Sequence, residues 1–390
     1  MVFVLLLCVM RLFLFLYVLI AYTFVFADST FISKPAVQVI TKSPYKEREF
    51  EVFSPKQNTR IIDFFEAQYK KKIFSGTYLF HKNDSMIRGH LGYANFSKKD
   101  PFIDDDLFQL ASVSKTFTGT AAMILVQEGK LALEDSVHWY IPELKRENLT
   151  IKDLLSHTSG LPDYFYFKQK YWPYAFRRMH NTDVISQLNK QPYKSFNKPG
   201  KYYHYSNTNY SLLAHIISRI TGMDFRQFVK KRIMEPAGMV YSHICDFDSV
   251  PLKRYSVQGY ERWRIYEDLP LNGTTGDKGI YSNTYEMYLY DQALRSSDIV
   301  HGSSKNQMWS PIALASSKRG MYYGLGWRVI WHNGHKWVYH NGWWKGFRTY
   351  FWRCVDENMC FVVLTNNVQG PFLKTAEMLN LIDPVYFDTK

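Results

Sequence analysis

The chain has 390 residues, of which 46% are hydrophobic and 17% aromatic. This composition is ample for a buried core and excludes a disordered chain, and the length favours two or three structural units. The formal net charge is +13, but the sequence contains neither a basic helix nor an aromatic nucleic-acid motif, so we expect no nucleic-acid partner. The charge suits a lysine-rich solubilising surface, or adhesion to anionic envelope polymers or lipids.

The first 27 residues have the pattern of an export signal. They carry one charge, Arg11, followed by an apolar run from Leu12 to Phe26 and the small residue Ala27. We predict a signal peptide over residues 1–27, cut near Ala27, and an exported protein that is periplasmic or secreted. The alternative is a membrane anchor formed by the uncleaved segment, because its apolar length approaches the ~20 residues that span a bilayer. Cleavage leaves a net charge of +12, and residues 28–54 form a lead-in.

Three cysteines remain after cleavage, namely Cys245, Cys354 and Cys360. Cys354 and Cys360 flank a short polar segment between two apolar runs, so a disulfide across that hairpin is one possibility in an oxidising compartment. The odd count and the lack of a Cys-x-x-Cys motif argue against a thiol enzyme or a cysteine zinc site.

The predicted elements begin with a helix and a hairpin. Residues 61–69 carry a helical apolar stripe, and residues 75–81 and 85–93 are two predicted strands around a turn at 82–84. From about 115 to 245 the pattern is mainly helical, including segments 131–142 and 149–157, the second capped by Thr150. Residues 161–200 form a polar segment rich in aromatic residues, whose side chains either line a cleft or pack between helices.

The C-terminal part returns to strands. A loop over 272–279 and a surface helix over 283–295 precede predicted strands at 323–331, 336–340, 347–354 and 360–365, and a last helix at about 371–381. The pair Asn333-Gly334 between aromatic runs is typical of a two-residue hairpin turn. That turn would place His332 opposite His335 and Trp327 opposite His340.

Ser112 and Lys115 lie three residues apart where a helix is predicted to begin. On a helix such residues are neighbours, so the serine oxygen and the lysine nitrogen can share a proton. The unpaired N–H groups and the dipole of the first turn favour an oxyanion there. The same spacing occurs at Ser43/Lys46 and Ser195/Lys198, but a proline follows Ser43 and Lys198, and this disfavours a helix start.

Three motifs in this order resemble those of the serine β-lactamase and penicillin-binding-protein superfamily, on its class C and carboxypeptidase/esterase side: Ser112-Val-Ser-Lys115, Tyr205-Ser-Asn207 and His340-Asn-Gly342. Stretches at 155–162, 276–282, 323–327 and 340–347 are also similar to ones that recur in such exported serine hydrolases. The resemblance covers about residues 55–385. It implies an α+β fold with an antiparallel sheet of five or more strands flanked by helices. Its α/β halves would be about 55–111 and 280–385, with a mainly helical subdomain at about 112–279.

The resemblance also implies roles for single residues. Ser112 would attack a carbonyl, Lys115 would accept its proton, and Tyr205 would pass a proton to the leaving group. Water would then release the acyl-enzyme, and no cofactor or metal is needed. The backbone N–H groups of Ser112 and Trp343, the latter just after the His-Asn-Gly turn, would hold the oxyanion. The expected substrate-binding residues are Asn207, His340, Asn341, Gly342 and Trp343.

One position departs from the family pattern. Penicillin-reactive enzymes commonly have lysine where this chain has His340, and histidine is mostly neutral at pH 7. This weakens the β-lactamase and D-Ala-D-Ala carboxypeptidase interpretations and favours an esterase or amidase, unless Lys345 restores the charge. The expected partner is a small-molecule or peptide substrate, possibly cell-wall derived. The alternative function is a catalytically silent penicillin-binding or cell-wall-binding sensor.

Repeated motifs and other histidines offer alternatives to these assignments. Tyr281-Ser-Asn283 repeats the second motif but leads into the predicted surface helix, and His332-Asn-Gly334 repeats the third but forms the hairpin turn. His157 suggests a Ser-His triad, yet the sequence has no Gly-x-Ser-x-Gly elbow, which favours a buried turn histidine. Strand geometry separates His332, His335 and His340, and no carboxylate is close in sequence, so zinc is not expected there.

Overall fold

The structure is a computed structural model that describes residues 50–146, 148–167, 177–190, 195–246, 256–266 and 269–382. The predicted signal peptide and residues 28–49 of the predicted lead-in lie outside the described residues. Among the described residues, none of the helices has the length and apolarity needed to cross a membrane.

Several of the described α-helices have a side-chain N-cap. They are α1 Pro55–Lys70, α2 Ser114–Gln127, α3 Val137–Tyr140, α4 Ile151–Leu155, α5 Asn181–Lys190, α6 Asn207–Thr221, α7 Phe225–Val229, α8 Thr284–Ser296, α9 Gly302–Met308 and α10 Thr375–Ile382. Ser54 caps α1 by accepting a bond from Gln57 N. The predicted cap Thr150 is present at α4, where it forms a capping box with Asp153. Gly129, at φ +67°, follows the end of α2.

The described strands fall into one large sheet and several short pairings. They are β1 Gly76–Lys82, β2 Ser85–Leu91, β3 Tyr93–Asn95, β4 Asp100–Pro101, β5 Phe108–Gln109, β6 His243–Ile244, β7 Tyr260–Glu261, β8 Arg264–Ile265, β9 Ile280–Ser282, β10 Ala313–Ser316, β11 Met321–Tyr323, β12 Arg328–His332, β13 His335–Trp344, β14 Phe347–Cys354, β15 Met359–Thr365 and β16 Asn367–Val368.

The large sheet is antiparallel and has eight strands in the order β10-β11-β12-β13-β14-β15-β1-β2. The N-terminal hairpin β1–β2 therefore joins the C-terminal strands through β1 and β15. Helices accompany the sheet, and the predicted α+β architecture with a sheet of five or more strands is confirmed.

The predicted hairpin at Asn333-Gly334 is confirmed, and both turn residues have the positive φ that a two-residue turn of this kind requires. His332 pairs with His335 as expected, but the ladder begins at Arg328 opposite Tyr339. The expected pair of Trp327 and His340 is therefore not part of the ladder. The predicted single strand 323–331 is wrong, because the chain turns between β11 and β12 at Gly324 and Gly326. A Cβ at Gly324 would lie 2.6 Å from the Met308 carbonyl oxygen.

Three further expectations need correction. The helix predicted at 283–295 is present as α8, but most of it is buried rather than at the surface. The predicted helices at 131–142 and 149–157 contain only the short helices α3 and α4. Strand β13 continues through His340, Asn341 and Gly342 to Trp344, so the third motif lies within a strand and not in a turn.

The possible disulfide is not formed, and Cys354 and Cys360 are both free and buried. Cys354 pairs with Met359 across β14 and β15, and Cys360 pairs with Arg353. Paired residues project on the same face and successive residues on opposite faces, so the two sulfurs lie on opposite sides of the sheet.

Candidate active site

Ser112 lies in a single 3₁₀ turn, Ala111–Val113, directly before α2. At the predicted helix start the chain thus forms a 3₁₀ turn, and the α-helix α2 begins at Ser114. The preceding residue, Ala111, has φ +51°, a left-handed conformation that is uncommon for a residue other than glycine. Leu110 N donates to Ile280 O (2.8 Å), which ties this turn to β9.

Lys115 is completely buried and makes three polar contacts. Its Nζ lies 3.1 Å from Ser112 Oγ, 2.7 Å from Asn207 Oδ1 and 2.9 Å from the backbone oxygen of Asp277. Burial lowers the pKa of Lys115 to about 8, although the carboxylates of Asp277 and Asp163 oppose this shift. A neutral amine is therefore accessible near physiological pH.

Tyr205 approaches the same serine from the other side, and its hydroxyl donates to Ser112 Oγ at 2.8 Å. Burial raises the pKa of Tyr205, so the phenol remains protonated near neutral pH. The structure thus brings Ser112, Lys115 and Tyr205 together at one oxygen atom.

His157 lies behind Tyr205, with ring centroids 4.3 Å apart. It is the buried turn histidine that the sequence favoured, with φ +60°. Its Nδ1 accepts from Ser206 N (3.2 Å) and faces Asn209 Nδ2 at 3.1 Å, so it supports the start of α6 rather than contacting Ser112.

Asn207 begins α6 and is fixed by an acid that sequence reasoning missed. Asp163 Oδ2 accepts from both Asn207 N (3.0 Å) and Asn207 Nδ2 (2.7 Å), and this orients the amide oxygen of Asn207 toward Lys115. Burial raises the pKa of Asp163. Asp163 directly follows the Leu155–Pro162 stretch, but no spacing rule connects it with Asn207.

The loop 274–279 supplies a second missed group. Asp277 is buried, and its carboxylate accepts from Tyr164 Oη at 2.8 Å and lies 3.4 Å from Lys278 Nζ. Lys278 also donates to Thr274 Oγ1, and burial lowers its pKa. The sequence predicted a loop over 272–279 and marked 276–282 by resemblance, but it gave these residues no role.

The third motif lies on β13, which packs directly against the serine turn. A Cβ at Gly342 would lie 2.3 Å from Leu110 O and 3.0 Å from the Ala111 Cβ, so only glycine permits this approach. Asn341, Gly342 and Trp343 line the cleft in front of Ser112, and the Trp343 side chain is largely exposed.

His340 itself is buried behind this lining. Its Nδ1 lies 2.7 Å from Asn341 O and its Nε2 lies 3.0 Å from Tyr323 Oη. A neutral ring with the proton on Nδ1 satisfies both contacts, because it donates to the carbonyl and accepts from the phenol. Burial and the nearby positive charge of Arg328 lower the pKa of His340 well below its ordinary value.

A cation that the sequence did not predict lies in the cleft. Arg328, at the start of β12, lines the cleft with Lys278, and its guanidinium carbon is 5.7 Å from the Tyr205 ring centre. Nearby phenols help to raise the pKa of Arg328, against the effect of burial, so it is always charged. The candidate Lys345 is instead held by Tyr266 and lies over that ring at 4.6 Å.

The cleft has a volume of about 1060 Å³. Besides Ser112, its walls include four cationic side chains and the carboxylate of Asp277. The cations are Lys278, Arg319, Arg328 and Lys374, and aromatic rings such as Phe165, Trp344, Trp352 and Phe372 also line it. Such a cleft is large enough for a peptide or another drug-sized ligand.

Neither rejected duplicate takes the place assigned to its motif, although His332 is among the residues that line the cleft. Tyr281 is in β9 and pairs with Gln109 and His243, while His332 ends β12 at the hairpin turn. Of the alternative Ser-x-x-Lys pairs, Ser195 and Lys198 lie in non-helical chain, and Ser43/Lys46 lies outside the described residues.

Comparison with known proteins gives one family and close structural relatives. A family model described as Beta-lactamase matches residues 65–382. The chain is 32% identical to penicillin-binding protein 4* of Bacillus subtilis over 346 residues, which cover 83% of this chain and 76% of that protein. It is 25% identical to a D-aminopeptidase of Brucella anthropi over 77% of this chain, but spans only 57% of that relative. The crystal structure of a penicillin-binding protein from Bacillus halodurans superposes with a TM-score of 0.71 and 25% identity, covering 86% of this chain and all of that one.

Proposed function

Because this chain belongs to the Beta-lactamase family and is a serine hydrolase of that type, we propose that it is exported and cleaves an ester or amide through an acyl-enzyme on Ser112. The observation that carries the proposal is the convergence of Lys115 Nζ and Tyr205 Oη on Ser112 Oγ, at 3.1 and 2.8 Å. The apolar segment at residues 1–27 supports export.

The contacts support a division of the proton transfers. Neutral Lys115 takes the proton of Ser112 as the serine oxygen bonds to the substrate carbonyl carbon. Tyr205, still protonated, then gives its proton to the leaving nitrogen or oxygen as that bond breaks, and it is reprotonated from Lys115. A water molecule attacks the acyl-enzyme by the same route in reverse and frees Ser112.

The charges of the cleft support a substrate with a carboxylate. Arg328 and Lys278 line the cleft beside Ser112, while His340 is neutral. Arg328 thus supplies the charge that the third motif lacks. We therefore favour an acylated D-amino-acid peptide with a free C-terminal carboxylate over a substrate with a free amino group of the kind that the name D-aminopeptidase implies for that relative.

The test compares substrates on purified protein and on the Ser112→Ala variant. A neutral p-nitrophenyl ester, an acyl-D-Ala-D-Ala peptide, a D-alanine p-nitroanilide and a chromogenic cephalosporin would be assayed together. We expect turnover of the ester and of the acyl dipeptide, which Ser112→Ala abolishes. Fluorophosphonate or penicillin labelling without turnover would instead support the sensor. The absence of both labelling and turnover would contradict the assignment of Ser112.

A further inference from the structure

A cluster of possible metal ligands lies at the opposite end of β13 from the active site. His335 begins β13, Cys354 ends β14, and Asp356 is in the turn between β14 and β15. One ligand atom from each side chain lies within 4.8 Å of the others. The sequence did not indicate this cluster because its members come from two hairpins, and His335 meets carboxylates that are distant along the chain.

The turn is built around the sulfur of Cys354. The backbone N–H groups of Asp356 and Glu357, two and three residues later, both donate to this sulfur. These bonds fix the direction of the sulfur, while burial raises the pKa of the Cys354 thiol to about 11, so a bound metal would have to displace its proton. The turn therefore orients the sulfur as a ligand atom.

A fourth donor is in reach. Glu357 Oε1 lies 3.3 Å from His335 Nδ1. Asp356 Oδ2 accepts a hydrogen bond from Lys336 N (2.6 Å), and this bond orients the Asp356 carboxylate toward the hairpin. The carboxylate retains further acceptor sites for a metal ion. Sulfur, imidazole nitrogen and carboxylate oxygen thus face one point from two strands and one turn.

We propose that His335, Cys354 and Asp356, with Glu357 as fourth donor, form a structural Zn²⁺ site. The mixture of thiolate, imidazole and carboxylate is one that zinc accepts, with bonds of about 2.0–2.3 Å and a tetrahedral arrangement. Two donors on one zinc are then about 3.5 Å apart, so binding draws the three side chains together by about an ångström.

The position of the site points to a structural role. Gly342 lies seven residue steps beyond His335 on β13, which at about 3.3 Å per step places the metal about 23 Å from the serine turn. The ion would join the β12–β13 hairpin to the β14–β15 hairpin. These strands carry Arg328 and the lining residues of the cleft, but the metal would take no part in the hydrolysis.

The test uses untagged protein from residue 28 onward, reduced and freed of metal. Zn²⁺ affinity is measured by competition with a chromophoric chelator, and Co²⁺ is added as a spectroscopic probe. We expect one equivalent of metal and a thiolate-to-cobalt charge-transfer band. Cys354→Ser should remove the band, and Cys354→Ser and His335→Gln should each weaken Zn²⁺ binding by at least ~10-fold, the loss that even outer-shell changes can produce.

Matched controls are available in the same chain. His332→Gln changes the histidine that faces His335 across the turn, and Cys245→Ser changes a half-buried cysteine outside the cluster. Both should keep the metal and the cobalt band. Circular dichroism checks folding, and His335→Gln, at a half-buried position, keeps the test valid if Cys354→Ser does not fold.

The proposal is overturned if no stoichiometric metal binds, if Cys354→Ser or His335→Gln binds it undiminished, or if Cys245→Ser loses the cobalt band. Ester hydrolysis is measured in parallel. Metal binding with no hydrolysis would contradict the proposed function and leave the zinc site standing, and the reverse result would do the opposite.

Discussion

The two side chains that contact Ser112 Oγ differ in their protonation near neutral pH. Lys115 is buried and its pKa is lowered to about 8, whereas the pKa of Tyr205 is raised. A neutral amine has two N–H donors and one lone pair. Asn207 Oδ1 and Asp277 O can accept the two donors, which leaves the lone pair for the hydroxyl proton of Ser112. The contacts therefore fit Lys115 as the base and Tyr205 as the proton donor.

The first prediction concerns pH. Lys115 can accept a proton only when neutral, so kcat/KM for a neutral ester should rise about ten-fold per pH unit below the pKa of about 8 and level off above it. A stopped-flow series with p-nitrophenyl acetate measures this profile. A rate that stays level across this range, after correction for spontaneous hydrolysis, would show that another group is the base.

The second prediction concerns Tyr205. Tyr205→Phe removes the hydroxyl that donates to Ser112 Oγ but keeps the ring against His157. We expect kcat to fall by ~10²–10⁴, the usual contribution of a general acid or base, with a smaller change in KM. Tyr202→Phe is the control, because the Tyr202 side chain is exposed and lies outside the lining of the cleft. Equal losses in the two variants would contradict the proton-donor role.

The third prediction concerns Arg328. A charge-assisted hydrogen bond contributes about 1.5–3 kcal/mol, so Arg328→Met should lower kcat/KM for an acyl-D-Ala-D-Ala peptide by ~10–100-fold. The loss should be smaller for a neutral ester, and Arg328→Lys should restore part of the dipeptide activity. Parallel assays of both substrates measure the difference. Equal losses on the two substrates would mean that Arg328 does not bind the carboxylate.

Among single residues, the sequence identified those that lie in short motifs. Ser112 and Lys115 are three residues apart, and Tyr205 and Asn207 share one helix start, so local spacing was informative. Asp163 acts on Asn207, and Arg328 lies in the cleft in front of Ser112. In both cases the two residues are far apart along the chain. No local pattern distinguishes a buried aspartate or arginine with such a partner from one on the surface.

At the scale of elements, the site depends on how closely β13 approaches the serine turn. Gly342 is the contact point, since its absent side chain leaves room for Leu110 O and Ala111. The turn at Asn333-Gly334 was predictable because that pair specifies its own backbone conformation. The break between β11 and β12 was not, because Gly324 and Gly326 turn the chain around Met308 and α2, and these contacts exist only in the folded protein.

The fourth prediction tests this contact. Gly342→Ala would place a Cβ 2.2 Å from Thr349 Oγ1 and 2.3 Å from Leu110 O, so β13 must move away from Ser112. We expect loss of most acylation, because the proposed oxyanion donors, the backbone N–H groups of Ser112 and Trp343, would be displaced, at ~3–4 kcal/mol for one donor. The rate of fluorophosphonate labelling, with circular dichroism for folding, measures the effect.

Gly334→Ala is the matched control for that experiment. It lies at the other end of the same strand, at φ +82° and with no atom within 4 Å of the added Cβ. It should lower stability through backbone strain but leave the labelling rate of the folded protein close to that of the parent. Equal labelling rates in Gly342→Ala and Gly334→Ala would contradict the role given to the β13 contact.

At the scale of the whole molecule, one buried carboxylate joins a helix to the sheet. Asp291 on α8 accepts from Arg353 Nε on β14 (2.6 Å) and from Arg295 Nε on its own helix (2.8 Å). Arg295 also donates to the carbonyls of Cys354, Glu357 and Met359 around the β14–β15 turn. The polar contacts between α8 and these C-terminal strands therefore centre on Asp291 and Arg295.

The fifth prediction follows from that acid. Burial alone would raise the pKa of Asp291, but the two guanidinium groups more than offset it and lower the pKa from 3.8 to about 2. A depressed pKa stabilises the folded state above pH ~4, and this stabilisation is lost as the pH falls through ~2, where the folded carboxylate takes up a proton. The pH-dependent part amounts to roughly 2 kcal/mol. At neutral pH, Asp291→Asn leaves Arg353 buried without its charge partner and should cost ~3–5 kcal/mol.

Urea unfolding at pH 7 and near pH 3 measures both effects, with Asp298→Asn as the control. Asp298 is exposed two residues beyond the end of α8, so its removal should change the free energy of unfolding by less than ~0.5 kcal/mol. Asp291→Asn should also lose less stability between the two pH values than the parent protein does, because the titrating group is gone. A variant that matches the parent at pH 7 would show that α8 and the sheet are held by apolar packing and not through Asp291.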